Sequence, residues 1–407
     1  MPQKPQDRRT FLKTVAGGAV AIGSSLRGRL GTGQAPSGRP DNGGMAYRRL
    51  GRTGFRVSEI SLGSSPLPDP DLLRALVARG VNYIDTSHNY DNGNAERQIG
   101  RLLKDLGRDK VHVATKFHVT PRDRVASIMA SVHGSLKRLD IEAIDVLMIH
   151  GAETAAVVID ARVIEAFDRL KTEGAFRFRG LSCHANQDEV VRKAVDCGLY
   201  DMVQVGYNVF DIQEPAREIE TYPDYLGVSG LRALIAFAHS KDVGVVAMKT
   251  LKVGGRRQDL SRYKTGAASL FQSMLKWVLD DERVASAVTE ILSRTQMEED
   301  LGAAGSRLAA DERETLARYV RENGRDYCHA CAGCRRACPA GIDLPGILRA
   351  LAYRESFGKN ERARDVYASV AGEGTASACR DCGACEKACP YGVAVRSRVR
   401  EARRVLA

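Results

Sequence analysis

Residues 80–104 read GVNYIDTSHNYDNGNAERQIGRLLK, and the fold turns on how that stretch divides. Its first part, VNYIDTSH, is a short apolar run that reaches a carboxylate, Asp85. Its last part, NAERQIGRLLK, carries apolar residues at helical spacing with charges between them. A buried strand followed by an amphipathic helix is one βα unit, and the unit recurs on both sides. The runs VSEISLG, VHVATKF, IDVLMIHG, FRFRGLSCH, MVQVGYNVF, VGVVAMKT and VASAVTEI bring the number to eight between residue 57 and about residue 305. Between them lie helical segments such as PDLLRALVARG, RVASIMASVHGSLKRLD and ARVIEAFDRLKTEG. Strands that are hydrophobic throughout, rather than alternating, suit a sheet covered on both faces. Eight such units predict an α/β fold, a closed parallel (β/α)8 TIM barrel over residues 45–307. No G-x-G-x-x-G follows the first strand, which argues against an open dinucleotide-binding sheet.

The flanks are of different composition. The chain has 407 residues, a formal net charge of +11 and 43% hydrophobic residues, enough for one large domain and a smaller one. Much of the positive excess sits in the leader and the tail, so the charge does not describe a nucleic-acid-binding face, and no nucleic-acid partner is expected. Residues 1–30 open with a polar basic stretch that leads into Arg8, Arg9, Thr10, Phe11, Leu12 and Lys13. A weakly apolar, glycine-containing run from Thr14 to Leu26 follows, too short to span a bilayer. This resembles a twin-arginine export signal, which implies the twin-arginine export machinery as a partner and the periplasm or cell envelope of a prokaryote as the destination. Residues 31–44, rich in Gly, Ser and Pro, read as a linker.

In a closed parallel barrel, chemistry gathers where strands end at the C-terminal face. The second strand ends in Asp85 with Tyr90 just into its loop, the third in Lys116, the fourth in His150 and the fifth in Ser182, Cys183 and His184. Singly, each has a plain structural explanation: a capping Asp, a rim Lys, a core His. Together, consecutive strands aim them at one place. An ammonium favours a neighbouring phenolate, and a carboxylate holds that ammonium charged and oriented. Tyr90, Lys116 and Asp85 thus suit a proton donor to a developing alkoxide, and a neutral His150 suits orientation of a carbonyl.

The stretches MAYRRLGRTGFRVSEISLG and GVNYIDTSHNYDNGNAERQIGRLLK, with Asp85, Tyr90, Lys116 and His150 in that order at strand ends, closely resemble the aldo-keto reductases over roughly residues 45–305. The resemblance implies hydride exchange between NADP or NAD and a small carbonyl or alcohol substrate. Tyr90 would be the general acid, tuned by Lys116 and Asp85, with His150 orienting the substrate. It also implies that Ser182 and Gln204 hold the nicotinamide carboxamide, with Met248 where the family commonly stacks an aromatic. Ser293, Arg294 and Gln296, in TEILSRTQMEEDL, fall at the phosphate and adenine end. Glu290 stands about where a cation would meet a 2'-phosphate and Asp300 replaces an Asn, and both carboxylates would repel phosphate.

Residues 308–324 are expected to form a connecting helix. Beyond them, in 325–407, C-x2-C-x2-C-x3-C-P occurs twice, in YCHACAGCRRACPAGIDLPGI and CRDCGACEKACPYGVAV. Thiolates at three-residue intervals suit three corners of an iron–sulfur cluster, while the fourth Cys, before Pro, reaches away. By the rule of two-cluster ferredoxins, Cys328, Cys331, Cys334 and Cys389 hold one [4Fe-4S] cluster, and Cys379, Cys382, Cys385 and Cys338 hold the other. Zinc or disulfides are the alternatives. The intervening ~40 residues look helical, so the tail resembles a small α-helical ferredoxin-like domain. The clusters of such a tail either exchange electrons with a redox partner protein or mainly stabilise the tail. The expected function is an exported iron–sulfur oxidoreductase of the aldo-keto reductase type. The alternative is an electron-transfer or assembly protein whose barrel no longer reduces carbonyls.

Overall fold

A computed structural model describes residues 44–212, 230–251, 260–263, 266, 268–355, 358–370 and 376–407. The expected export signal and all but the last residue of the linker lie outside the described residues. A two-stranded antiparallel hairpin, β1 (Tyr47–Arg49) and β2 (Arg56–Ser58), leads the chain. Eight parallel strands then close on themselves: β3 (Ile60–Gly63), β4 (Tyr83–Asp85), β5 (His112–Phe117), β6 (Ile144–Ile149), β7 (Phe176–Cys183), β8 (Met202–Gly206), β9 (Gly244–Met248) and β10 (Ser286–Thr289). Strand order follows the sequence around the barrel, and β10 pairs with both β3 and β9. Each of the eight apolar runs supplies one of these strands. All six residues of β6 are buried, as a strand with helices outside and side chains inside must be.

The helix Asn94–Leu106, from the quoted stretch, illustrates how the outer ring attaches. It buries Ala95, Ile99, Leu102 and Leu103, one stripe of a 3.6-residue period. Glu96 is buried on the same face, where its carboxylate accepts from Thr115 Oγ1 at 2.6 Å and pairs with Arg138 Nε at 2.7 Å. One buried charge thereby ties the helix to β5 and to the next helix, Val125–Leu139, with both carboxylate oxygens satisfied. The hairpin plugs the barrel's N-terminal end: Leu50, Phe55 and Val57 pack with the interior residues Tyr83, Val146, Met202 and Val246. Gly244 opens β9 because a side chain there would run into Leu50, whose Cδ1 lies 2.7 Å from the position of an added Cβ.

After the helix Ala310–Asn323 the chain builds a second core. Ile342, Leu344, Ile347, Leu351, Val395 and Val399 are buried among the helices Leu344–Glu355, Asn360–Val370 and Val395–Leu406. The tail is thus helical, as its sequence suggested. It is seated against the barrel's C-terminal end: Asn186 N–H donates to Ala330 O at 2.9 Å, Asn208 Nδ2 to Tyr327 Oη at 2.6 Å, and Arg349 pairs with Glu153 at 2.7 Å.

Candidate functional site

The barrel places its strand-end residues as a set. Asp85 closes β4 and Lys116 lies one residue before the end of β5; their side chains are 6% and 2% exposed and meet at 2.6 Å. Lys116 Nζ also donates to Thr86 O at 2.7 Å and sits 5.3 Å from the centroid of the Tyr90 ring. His150, directly after β6, presents its ring edge-on to Tyr90 at 5.7 Å. Asp85, Tyr90 and Lys116 line one cavity with Gln204 and Met248.

Burial dominates the electrostatics here. It raises the Tyr90 phenol well above the ordinary tyrosine range, with Asp85 and Tyr353 adding to the rise and Arg362 opposing it. The sequence suggested that Lys116 would ease this phenol toward phenolate. Instead the ammonium is occupied by Asp85 and a carbonyl, and desolvation holds the phenol protonated. Burial also lowers Lys116 against the pull of Asp85. His150 lies well below the usual imidazole range through burial first, then Lys116, His118, His88 and Arg362, so its ring is neutral at pH 7.

The remaining expected contacts divide. Ser182 and Gln204 are register partners on β7 and β8. Ser182 Oγ is engaged within the barrel, accepting from Gly151 N at 3.0 Å and donating to Ile149 O at 3.3 Å. Gln204 is buried with Oε1 unpartnered, and Ser64 Oγ, Thr289 Oγ1 and His184 Nδ1 on the same cavity are also buried without partners. Four such atoms around one cavity suit a flat polar group such as an amide. Met248 closes β9 beside them. Ser293, Arg294 and Gln296 do not line this cavity. They stand at the start of the helix Arg294–Leu301, where Ser293 Oγ accepts from Gln296 N and Gln296 Oε1 accepts from Leu292 N. Glu290 on the rim pairs with Lys359 of the tail at 3.3 Å, and Lys359 also donates to Ser65 O at 3.0 Å.

Sequence reasoning passed over Ser87, His118 and Lys249. Lys249 lines the cavity directly after Met248 in a left-handed conformation, φ 56°, and burial brings its ammonium down to about 8. Its position beside Met248 in VVAMKT was the available signal.

In the tail, Cys328, Cys331, Cys334 and Cys389 line one small cavity with Leu348, Val393 and other apolar groups. Cys379 lies in the field of Cys385, and Cys338 packs against the same tail core. All ten cysteines are free, and among the described residues no three His, Cys, Asp or Glu side chains converge as ligands of a single ion. The two loops repeat one backbone conformation. Ala330 and Ala332 have φ of 54° and 59°, and Asp381 and Gly383 at the matching positions have 57° and 78°. Alanine resists that region, so its use twice in one loop marks a conformation that the site requires. Ala330 N and Val393 N donate to Cys328 Sγ and Cys389 Sγ at 3.4 Å. A pocket ringed by four sulfurs, with backbone donors on two of them, fits an iron–sulfur cluster.

Fold and site together describe a closed parallel barrel with a buried Asp–Lys pair beneath a Tyr, joined to a cysteine-rich helical module. Comparison with known proteins makes this specific: residues 68–264 match the aldo/keto reductase family and residues 321–390 match a 4Fe-4S dicluster domain, so the chain carries both domains. It is 25% identical over 307 residues to an uncharacterized oxidoreductase, YqkF, of Bacillus subtilis, covering 69% of this chain and 98% of that one. It is 37% identical over 130 residues to a probable voltage-gated potassium channel subunit beta of Oryza sativa, covering 28% of this chain and only 40% of that protein. Among solved structures, aldo-keto reductase AKR11C1 of Bacillus halodurans superimposes with a TM-score of 0.53 at 23% identity, covering 67% of this chain and 96% of its own. An aldo-keto reductase from Klebsiella pneumoniae in complex with NADPH gives 0.52 at 22%, covering 68% and 95%. These two likenesses concern the barrel fold.

Proposed function

We propose that this protein interconverts a small carbonyl compound and its alcohol, with Tyr90 as general acid, and that its tail holds two [4Fe-4S] clusters that exchange electrons with a redox partner protein. The observation that carries the proposal is the buried Lys116–Asp85 pair, 2.6 Å apart, beneath Tyr90 and beside a neutral His150. Gln204, flanked by Ser182 and Met248, would hold the carboxamide of NADP or NAD; Ser293, Arg294 and Gln296 lie farther out, toward its phosphate and adenine end. When bound, the nicotinamide supplies or accepts the hydride.

The chain's own groups do the rest. The Lys116 ammonium is pinned between Asp85 and the Thr86 carbonyl, so a fixed positive charge lies below the phenol without reorganising during reaction. Tyr90, protonated, donates its proton to the carbonyl oxygen as that oxygen becomes an alkoxide, and the charge left on the phenolate faces Lys116. His150, neutral, hydrogen-bonds the same oxygen and sets the face presented to the hydride. In the tail, Cys328, Cys331, Cys334 and Cys389 would hold one cluster, and Cys338, Cys379, Cys382 and Cys385 the other. Clusters of this kind carry single electrons.

Export through the twin-arginine machinery to the periplasm or cell envelope of a prokaryote is part of the same proposal and rests on residues 8–26. A second function, electron transfer or assembly without carbonyl turnover, is favoured by one observation: tail residue Lys359 lies across the rim of the cavity, bonded to both Ser65 and Glu290. Tyr90→Phe separates the two. With NADPH and a small aldehyde, the variant should lose ~10²-fold or more of kcat, the usual contribution of a positioned proton donor. Reduction of the clusters by dithionite should be unchanged. Equal aldehyde turnover by wild type and variant would reject the catalytic assignment.

A further inference from the structure

Behind His150 runs a chain of polar side chains that the four strand-end residues do not include. Ser87, fully buried, has its Oγ 2.9 Å from His150 Nδ1 and 2.9 Å from Asn89 Oδ1. Asn89 Nδ2 lies 3.1 Å from His118 Nε2, and the His118 ring stacks on His150 with centroids 4.2 Å apart and planes 19° from parallel. The chain therefore returns to the residue from which it began.

A hydroxyl has one hydrogen, so Ser87 can donate to His150 or to Asn89 but not to both. Two arrangements satisfy every member. In one, His150 Nδ1–H donates to Ser87, Ser87 to Asn89 Oδ1, and the Asn89 amide N–H to His118 Nε2; Nε2 of His150 is then bare. In the other, the Asn89 amide is reversed. His118 Nε2–H donates to the Asn89 oxygen, the Asn89 amide to Ser87, and Ser87 to His150 Nδ1, so that Nε2 of His150 carries the hydrogen. Oxygen and nitrogen of an amide occupy nearly the same positions, so both arrangements use the same heavy-atom framework. Only the second lets a neutral His150 donate to a carbonyl oxygen.

We propose that Asn89 and His118 are positioning residues that act through Ser87 to keep the hydrogen of His150 on Nε2, facing the substrate. This rests on the carbonyl-reductase function proposed above. His118 suits the task because, stacked on His150, it cannot take up charge while its neighbour does, and both rings are held below the usual imidazole range, by burial foremost.

The test is direct observation of the ring nitrogens by long-range proton–nitrogen correlation in full-length, cluster-containing protein labelled at its eight histidines. In wild type, Nε2 of His150 should carry a hydrogen and Nδ1 should be bare. Asn89→Asp replaces the amide by a group that only accepts. It captures the Ser87 hydrogen, so His150 Nδ1 should shift into the protonated range. Asn89 is exposed, and the variant should fold. In Ser87→Ala the link is cut, and adding Asn89→Asp should leave His150 Nδ1 unmoved. A protonated Nδ1 in wild type, an unshifted Nδ1 in N89D, or the same shift with and without Ser87 would each overturn the proposal. None of these readings requires turnover. A protein with this tautomer pattern but equal aldehyde turnover by wild type and Tyr90→Phe would refute the carbonyl-reductase function while leaving the hydrogen-bond chain standing.

Discussion

Replacing Lys116 by methionine keeps most of the volume of the side chain and removes an ammonium that pairs with Asp85 Oδ1 and donates to the Thr86 carbonyl. At 2.6 Å and an effective dielectric constant of 20, the gross attraction between the charges is about 6 kcal/mol. The several kcal/mol needed to bury each ion offset most of it, so the intact pair contributes little net stability. Removing one partner is another matter: the carboxylate of Asp85 stays buried with no counter-charge, at a cost of ~3–5 kcal/mol. Thermal unfolding should show this as a fall of roughly 6–10 °C, taking about 2 °C per kcal/mol for a domain of this size. Asp85→Asn alone should be milder, because burial already pulls Lys116 toward its neutral form. The double variant D85N/K116M, with no charge left to strand, should recover most of the loss while remaining inactive toward aldehydes. Recovery of stability without recovery of activity would separate the pair's structural role from its catalytic one. If the double variant instead lost the sum of the two single effects, the residues would be energetically independent, and the Lys116–Asp85 pair would not be the organising charge of the site.

Acid should destabilise the fold through its histidines. His118, His150 and His184 are held below the usual imidazole range, by burial foremost and then by nearby positive groups, so below about pH 6.5 the unfolded chain binds protons that the native state refuses. Stability is therefore complete above that pH and falls as the pH drops; His150→Gln with His184→Gln should flatten the dependence of Tm between pH 7 and 5, and an unaltered slope would contradict the assignment. The crossed cysteine sets predict pairing in iron content: Cys331→Ser, Cys389→Ser and their double variant should each lose about half the iron, while Cys331→Ser with Cys338→Ser should lose nearly all. Loss of all iron in C331S/C389S would show that ligands are not shared across the two loops.

The barrel was legible because its strands are apolar along their whole length and its helices carry one apolar stripe, patterns that survive without knowledge of what they touch. Asp85, Tyr90, Lys116 and His150 were legible for a related reason: once strand ends are located, barrel closure fixes where they point. What escaped depends on side-chain direction and tertiary company. Ser87, Asn89 and His118 look like ordinary loop residues until their hydrogen bonds are traced. Tyr90 was read by its charged neighbour, but burial proved the larger effect. Ser293 and Gln296 are cofactor contacts only by resemblance; in the fold their side chains accept backbone N–H groups at the helix start on which they stand.

Glu290 shows most plainly what a linear chain conceals. Read alone, it is a carboxylate facing a phosphate and an obstacle to binding. In the fold it lies 3.3 Å from Lys359, 69 residues away in a different domain, and the rim it occupies is no longer a bare negative surface. The tail is therefore part of the barrel's mouth as well as a container for clusters. The two are also joined on the other side: His184 lines the mouth, and two residues on, Asn186 N–H bonds the carbonyl of Ala330, between Cys328 and Cys331. One hydrogen bond and two peptide units thus separate the cavity from the first cysteine loop. Comparable hydrogen bonds do not tie the Cys379 loop to the barrel among the described residues, and Cys382 in that loop is exposed. Under the electron-transfer role proposed above, the Cys328 loop is thus the one that hydrogen bonds link to the cavity's lining, while Cys389 of the second run lines a cavity with Cys328, Cys331 and Cys334.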